Sequence, residues 1–257
     1  MRVLFIVLAG CCLITCINTT KTNRLIWSDE FDYNGSLNNT KWNYVTGDGC
    51  PHNCGWGNNE AEIYTKDAAN VRVENGSLII DALKSSNGWT SARVTSQAKM
   101  SFTYGRVEFR AKLPVGVGTW PALWMLGENF ATKGWPACGE IDVMEHVGRN
   151  PGVVQSVLHS PSSFGNTVNK RDTIVSNFNS DFHIYQANWT KEKIEFSIDG
   201  VIFYTYQPKE RDSNTWPFDS PFHIIMNIAM GGNLGGPAID PTLTQARMEV
   251  DYVRVYQ

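Results

Sequence analysis

Charge is sparse in this chain and evenly spread. Of its 257 residues 18% are charged, with 22 Lys and Arg against 25 Asp and Glu, so the formal net charge is −3. No run of one sign exceeds a few residues, and the sequence therefore lacks the basic patch that nucleic-acid binding needs. We expect no nucleic-acid partner. The length suits one large globular domain or two small ones.

Long hydrophobic runs are missing too, except at the start. Arg2 precedes an apolar run of about 15 residues, which is short for a membrane span and typical of a secretory signal. We predict a signal peptide over residues 1–18, a secreted, extracellular protein, and no membrane contact after cleavage. The alternative is a bacterial lipoprotein signal at LAGC, residues 8–11, which would leave an apolar CCLITCI at the mature end.

Cysteine is scarce once that leader is removed. Three of the six cysteines would leave with it, and Cys50, Cys54 and Cys138 remain. Cys50 and Cys54 lie in loop-forming GDGCPHNCGWGNNE, where an oxidising compartment favours a local disulfide. The alternative is half of a metal site, which no second cysteine pair or histidine cluster completes. We expect Cys138 to be a buried small apolar residue.

Long segments with 3.6-residue apolar periodicity are also lacking, as are repeats and linkers. The chain instead shows short alternating segments, such as GRVEFRAKL, separated by turn signals. Asn75-Gly76 and Asp199-Gly200 favour tight hairpins because both positions tolerate positive φ. Together these patterns predict an all-β sandwich or barrel in one domain, residues 19–257.

One acidic segment, GEIDVMEHVG at residues 139–148, breaks strand alternation. Glu140 and Asp142 would share a face, whereas Glu145 would point to the other. A β-bulge at Val143 and Met144 would return Glu145 to the first face. Such a row suits glycoside hydrolysis, which needs two carboxyls roughly 5–5.5 Å apart for retention or 6.5–9.5 Å for inversion. Four strand steps span about 13 Å, which inclined side chains could largely close.

Two other interpretations of this segment are a solvent-facing acidic strand and a calcium site. Flanking Trp135, Pro136 and Cys138 do not resemble an exposed rim. Trp120 and Trp124, four apart in GTWPALWML, would share a strand face, one as core and the other as a sugar platform. Further candidate sugar contacts are Trp56 and Asn58 in GWGNNEAEIYT, Arg93 in SARVTS and His159 in VQSVLHS. Arg93 could equally be a buried ion-pair partner, and His159 a structural residue.

The chain resembles glycoside hydrolase family 16, most closely its laminarinase branch of endo-β-1,3-glucanases. The resemblance rests on the acidic segment, GTWPALWML and GWGNNEAEIYT, together with YGRVEFRAKLPVGVG and WPFDSPFHIIMNIAMGG. The likeness covers residues 25–257. It implies a β-jelly-roll sandwich of two curved antiparallel sheets with an open substrate cleft. It also implies retaining hydrolysis, with Glu140 as nucleophile, Asp142 as its helper and Glu145 as general acid/base. Two residues, Val143 and Met144, separate Asp142 from Glu145, and this spacing is typical of laminarinases. In the lichenase and xyloglucan branches a single residue separates the corresponding acids.

The resemblance extends to the cleft and to a metal. Trp120, Trp124 and Trp135 resemble cleft aromatics, and Asn58, Arg93 and His159 resemble polar substrate contacts. Family members often hold a structural calcium, which would fall to Glu30, the Gly76 carbonyl and Asp251, while the chemistry itself requires no cofactor. Leu234 in GGNLGG departs from the Trp that many laminarinases have there, and this could weaken a subsite.

The expected function is thus a secreted retaining endo-β-1,3-glucanase that hydrolyses laminarin-type β-glucans through a covalent glycosyl-enzyme. We expect a monomer whose partner is the β-1,3-glucan chain. A transglycosylase would use the same residues, so it stays an alternative. A β-glucan recognition protein is the other alternative, although loss of the two catalytic glutamates would mark that fate and both are present.

Overall fold

The structure is a computed structural model that describes residues 24–257, so the predicted signal peptide lies outside the described residues. The strands are named in chain order: β1 (Leu25–Asp29), β2 (Asn43–Val45), β3 (Glu62–Tyr64), β4 (Val71–Glu74), β5 (Ser77–Ser85), β6 (Gly88–Ser91), β7 (Arg93–Thr95), β8 (Gly105–Lys112), β9 (Thr119–Gly127), β10 (Glu140–His146), β11 (Val153–His159), β12 (Lys170–Ile174), β13 (His183–Trp189), β14 (Ile194–Ile198), β15 (Val201–Tyr206), β16 (Phe222–Met230) and β17 (Gln245–Tyr256). Short helices are α1 (Phe130–Lys133), α2 (Gly232–Gly235) and a 3₁₀ turn, Cys54–Gly57. None of the helices in the described part is long and apolar enough to cross a membrane.

These strands form two sheets of a jelly-roll sandwich. The first, which we call the cleft sheet, has the order β12-β11-β10-β9-β16-β7-β2. The second, the back sheet, has the order β15-β14-β13-β8-β17-β5-β6-β3, with β1 added to β17 and β4 added to β5. The acidic strand β10 thus lies in the cleft sheet, with two strands on one side and four on the other. The all-β expectation is confirmed; the exact domain boundaries stay a prediction.

The core between the sheets follows from strand alternation. On β8, Val107, Phe109 and Ala111 are buried, and the residues between them are half-buried, as the alternating sequence predicts. Large side chains such as Trp42 and Trp189 fill the space between the layers. Full burial of a large apolar side chain contributes about 1.5–3 kcal/mol each, so this layer stabilises both sheets.

Turn chemistry is also as predicted. The Asn75-Gly76 turn (φ 53° and 77°) joins β4 to β5, and the Asp199-Gly200 turn (φ 51° and 80°) joins β14 to β15. One pair corrects the all-antiparallel expectation, because β3 runs parallel to β6. The hairpin of β4 and β5 intervenes between these two strands in the chain, so β6 returns in the same direction as β3.

Candidate active site

A β-bulge in β10 places the three acids on one face. The pairing with β11 shifts between Asp142 and Glu145, and the pairing with β9 shifts over the same segment. Val143 and Met144 are both buried in the core, at 2% and 0% exposure, so two successive side chains point inward. Glu145 therefore returns to the face of Glu140 and Asp142, as predicted.

Neighbouring strands hold the last acid of this row in place. Glu145 is 7% exposed. Trp120 Nε1 on β9 donates to Glu145 Oε1 at 2.9 Å, and Gln155 Nε2 on β11 donates to Oε2 at 3.1 Å. Both carboxylate oxygens are thus fixed from opposite sides. Trp120 faces the cleft and is not a core residue, which decides between the two roles expected for it.

The first two acids meet a histidine from β11. Glu140 pairs in register with His159, whose Nε2 lies 3.7 Å from Glu140 Oε1 and 3.5 Å from Asp142 Oδ2. Asp142 is 3% exposed, and no N–H or hydroxyl group among residues 24–257 donates to its Oδ2. Gly139 directly precedes the strand with φ 78°, and a Cβ there would lie 2.9 Å from Phe222 Cζ. A side chain at this position would therefore disturb the entry to the acidic row.

Burial raises the pKa of all three carboxyls. The pKa of Glu145 rises to about 7, mainly by burial and against the bonds from Trp120 and Gln155. Burial, then repulsion by Glu140 and Glu145, raises the pKa of Asp142 well above its usual range. Burial, then the charge of Glu145, raises the pKa of Glu140 to about 8, while the charge of Arg93 and hydrogen bonds from Trp135 and Asp142 oppose this shift. Because the three buried carboxyls repel one another when charged, the row holds at least one proton near neutral pH, and a protonated Asp142 would stabilise ionised Glu140 by a hydrogen bond.

His159 lies beside two carboxyls in an arrangement of metal-ligand type, but its hydrogen bonding does not suit a metal ligand. Glu140, Asp142 and His159 form the one cluster of three metal-type ligands among residues 24–257, with one atom of each within 4.8 Å of the others. The Gly165 N–H donates to His159 Nδ1 at 3.1 Å. Burial lowers the pKa of His159 to about 4, so the ring is neutral and its remaining proton sits on Nε2. The Nε2 proton then faces the two carboxyls, and Nε2 has no lone pair for a metal.

On the β7 side of the row, an arginine lies between two tryptophans. The Arg93 guanidinium carbon is 4.9 Å from the Trp56 ring centre and 4.8 Å from that of Trp124. Trp124 also donates from Nε1 to Asn227 Oδ1 at 2.8 Å. Among residues 24–257 no carboxylate forms an ion pair with Arg93, and its Nε is a buried donor without a partner there. This arrangement favours the substrate-contact interpretation of Arg93 over the ion-pair one.

Asn58 follows the 3₁₀ turn and donates from Nδ2 to Glu60 Oε1 at 3.0 Å. Its carbonyl accepts from the Asn233 N–H at 2.7 Å, which ties this loop to α2. Half-buried Leu234, which replaces the Trp of many laminarinases, lies on α2. It is therefore beside the loop that holds Trp56 and Asn58. Their roles as sugar contacts stay predictions.

The cysteine expectations agree with the structure. Cys50 and Cys54 form a disulfide with an S–S distance of 2.11 Å, which removes the half metal site as an alternative. Cys138 is fully buried in a small apolar cluster with Leu126 and Ile225, directly before the acidic strand.

The predicted calcium residues do not fit a calcium ion as they are arranged. Arg254 binds both carboxylate oxygens of Glu30, at 3.0 and 2.7 Å, and Arg110 Nη1 lies 2.6 Å from Asp251 Oδ2. Both carboxylates are therefore already neutralised by guanidinium groups, and Gly76 contributes at most a backbone oxygen. The structural calcium stays a prediction that the structure does not support.

Two cleft residues, Gln155 and Asn227, were not predicted from the sequence. Gln155 pairs opposite Glu145, and Asn227 accepts from Trp124 and donates to Tyr64. A lone Asn in the apolar run HIIMNIAM was a usable signal for Asn227. Gln155 has the strand parity of His159, but only the register with β10 reveals its partner.

Comparison with known proteins agrees with this geometry. The family model described as Glycosyl hydrolases family 16 matches residues 52–254. A beta-glucanase of Rhodothermus marinus is 43% identical over 98% of this chain and 92% of its own length. Glucan endo-1,3-beta-glucosidase A1 of Niallia circulans is 40% identical over 91% of this chain, which spans 38% of that protein. The laminarinase crystal structure from Flavobacterium sp. UMI-01 has a TM-score of 0.87 at 46% identity, covering 91% of this chain and 100% of that one.

Proposed function

The chain belongs to glycosyl hydrolases family 16, and from that premise we propose that it is a secreted, retaining endo-β-1,3-glucanase acting on laminarin-type β-glucans. The observation that supports this most is the bulge in β10. It brings Glu140 and Glu145 to one face of the cleft sheet, with Asp142 between them.

In the proposed course, protonated Glu145 gives its proton to the departing glycosidic oxygen while ionised Glu140 attacks the anomeric carbon. The raised pKa of Glu145, about 7, suits an acid that must hold a proton at neutral pH. Protonated Asp142 donates to Glu140 and favours its ionised form. Glu145 then takes a proton from water, whose oxygen displaces Glu140 and releases the sugar with retained configuration.

Substrate and linkage are tested by incubating the protein with laminarin, lichenan, agarose and xyloglucan. We expect laminarin to yield oligosaccharides of mixed length whose first-formed anomer is β. First-formed α anomers would contradict retention, and glucose as sole early product would contradict endo action. Products longer than an oligosaccharide donor would show transglycosylation instead. Glu140→Gln is the matched control, expected to bind laminarin without turning it over.

Secretion is part of the proposal and has its own test. The signal over residues 1–18 would direct export, and the Cys50–Cys54 disulfide is consistent with an oxidising compartment. N-terminal sequencing of protein recovered from the culture medium should find a mature chain that begins near residue 19. Retention of Met1 in a cell-bound protein would contradict this part.

A further inference from the structure

An exposed aromatic pair extends the cleft past β11. Trp135 lies before β10, and Phe164 lies between β11 and β12. Their ring centres are 5.3 Å apart at 82°, an edge-to-face contact. Trp135 is 42% exposed and Phe164 51%, whereas the Trp and Phe side chains of the described chain are otherwise buried or half-buried, apart from Phe130. The pair therefore leaves ring surface open to solvent.

This aromatic pair is continuous with the acidic row. The Trp135 ring lies 5.6 Å from that of His159, whose Nε2 is 3.7 Å from Glu140 Oε1. A path of aromatic surface thus runs outward from the reacting carboxyls. It runs away from β7, the strand of Arg93, and so lies on the opposite side of the row.

The backbone that presents Phe164 is well fixed. Ser160 and Ser163 exchange backbone hydrogen bonds at 3.0 Å, and Thr167 Oγ1 donates to Ser163 Oγ at 2.9 Å. The Gly165 N–H bonds to His159 Nδ1, which anchors the loop directly to β11. A fixed aromatic ring loses little entropy on binding, so it suits ligand contact better than a mobile one.

We propose that Phe164 extends the sugar-binding surface of the cleft beyond Trp135, so that its ring stacks on a unit of the glucan chain on the β11 side of Glu140. The apolar face of a pyranose covers aromatic surface, and its hydroxyls stay at the rim. This inference rests on the proposed function. It adds Phe164, which neither the motifs nor the resemblance singled out.

The test compares Phe164→Ala with Val168→Ala on β-1,3-gluco-oligosaccharides of increasing length. Val168 is the matched control, because it lies in the same loop, is 83% exposed and is not aromatic. We expect the kcat/KM of Phe164→Ala to fall increasingly with chain length, by about tenfold on the longest chains. Phe164→Tyr should retain most of the wild-type value, and Val168→Ala should follow the wild type at every length.

Three outcomes would overturn the subsite: an equal loss at all lengths, no loss at any length, or the same loss in Val168→Ala. Circular dichroism and the melting temperature establish that both variants fold. A wild-type protein without activity on any β-1,3-glucan would instead refute the proposed function, so the two failures are distinguishable.

Discussion

Asp142 offers the sharpest test of how the acidic row works. Burial and the neighbouring carboxylates raise the pKa of Asp142, which favours the protonated form that would donate a hydrogen bond to Glu140. Asp142→Asn keeps a donor of nearly the same shape, whereas Asp142→Ala removes it. If donation is the role of Asp142, the two variants must differ.

The magnitude follows from the loss of one buried donor. Removing a single preorganised donor from a site of developing charge lowers kcat by about 10²–10³-fold. We expect that loss for Asp142→Ala, and a loss within about tenfold for Asp142→Asn. Stability should change little, because the substitution leaves no donor to Asp142 Oδ2 unpaired. A shift within about 4 °C in melting temperature corresponds to roughly 1 kcal/mol in a chain of this size.

The assay is kcat on laminarin from pH 4 to pH 9 for both variants, alongside their melting temperatures. Equal inactivity of Asp142→Asn and Asp142→Ala would refute the donor role, since an ionisable carboxyl would then be required. A large drop in melting temperature for the Ala variant would show that Asp142 is structural.

Three further predictions concern the rest of the site. Trp120→Phe removes the donor that stabilises ionised Glu145, so the pKa of Glu145 should rise. The high-pH limb of the kcat/KM profile should then move to higher pH. A limb that stays in place or moves to lower pH would contradict this. Glu145→Ala should lose activity on laminarin and regain turnover with azide on a donor with an activated leaving group, giving a β-glycosyl azide; a folded variant without rescue would oppose the acid/base role. Cys50→Ser should lower the free energy of unfolding by about 2 kcal/mol, as expected for opening a short disulfide-closed loop. It should also raise KM, because that loop holds Trp56. Unchanged stability in a denaturant titration would refute the stabilising role of the disulfide.

Local sequence signals predicted much of the acidic strand. Val143 and Met144 are two apolar residues in succession, and burying both forces the next acid back to the first face. The hairpins at Asn75-Gly76 and Asp199-Gly200 were equally predictable, because positive φ is a local property of those residues.

Contacts set by long-range pairing could not be predicted. Gln155 bonds Glu145 because β10 and β11 pair in one register, and a shift by one residue would turn it to the core. The edge contact of Trp135 with Phe164 joins two loops that only the folded sheet brings together. The arginine partners of Glu30 and Asp251 likewise depend on strand order in the back sheet, which the sequence pattern leaves open.

The central claim, that Glu140 attacks the sugar while Glu145 assists, is tested most directly by trapping the covalent intermediate. The protein is incubated with a 2-deoxy-2-fluoro β-1,3-glucosyl donor bearing an activated leaving group, then digested and analysed by mass spectrometry. Glu140 and Glu145 lie five residues apart, so fragmentation of the labelled peptide must locate the sugar; the account predicts one added glycosyl unit on Glu140, and none in Glu140→Gln. A glycosyl group on Glu145 or on any other residue would contradict it.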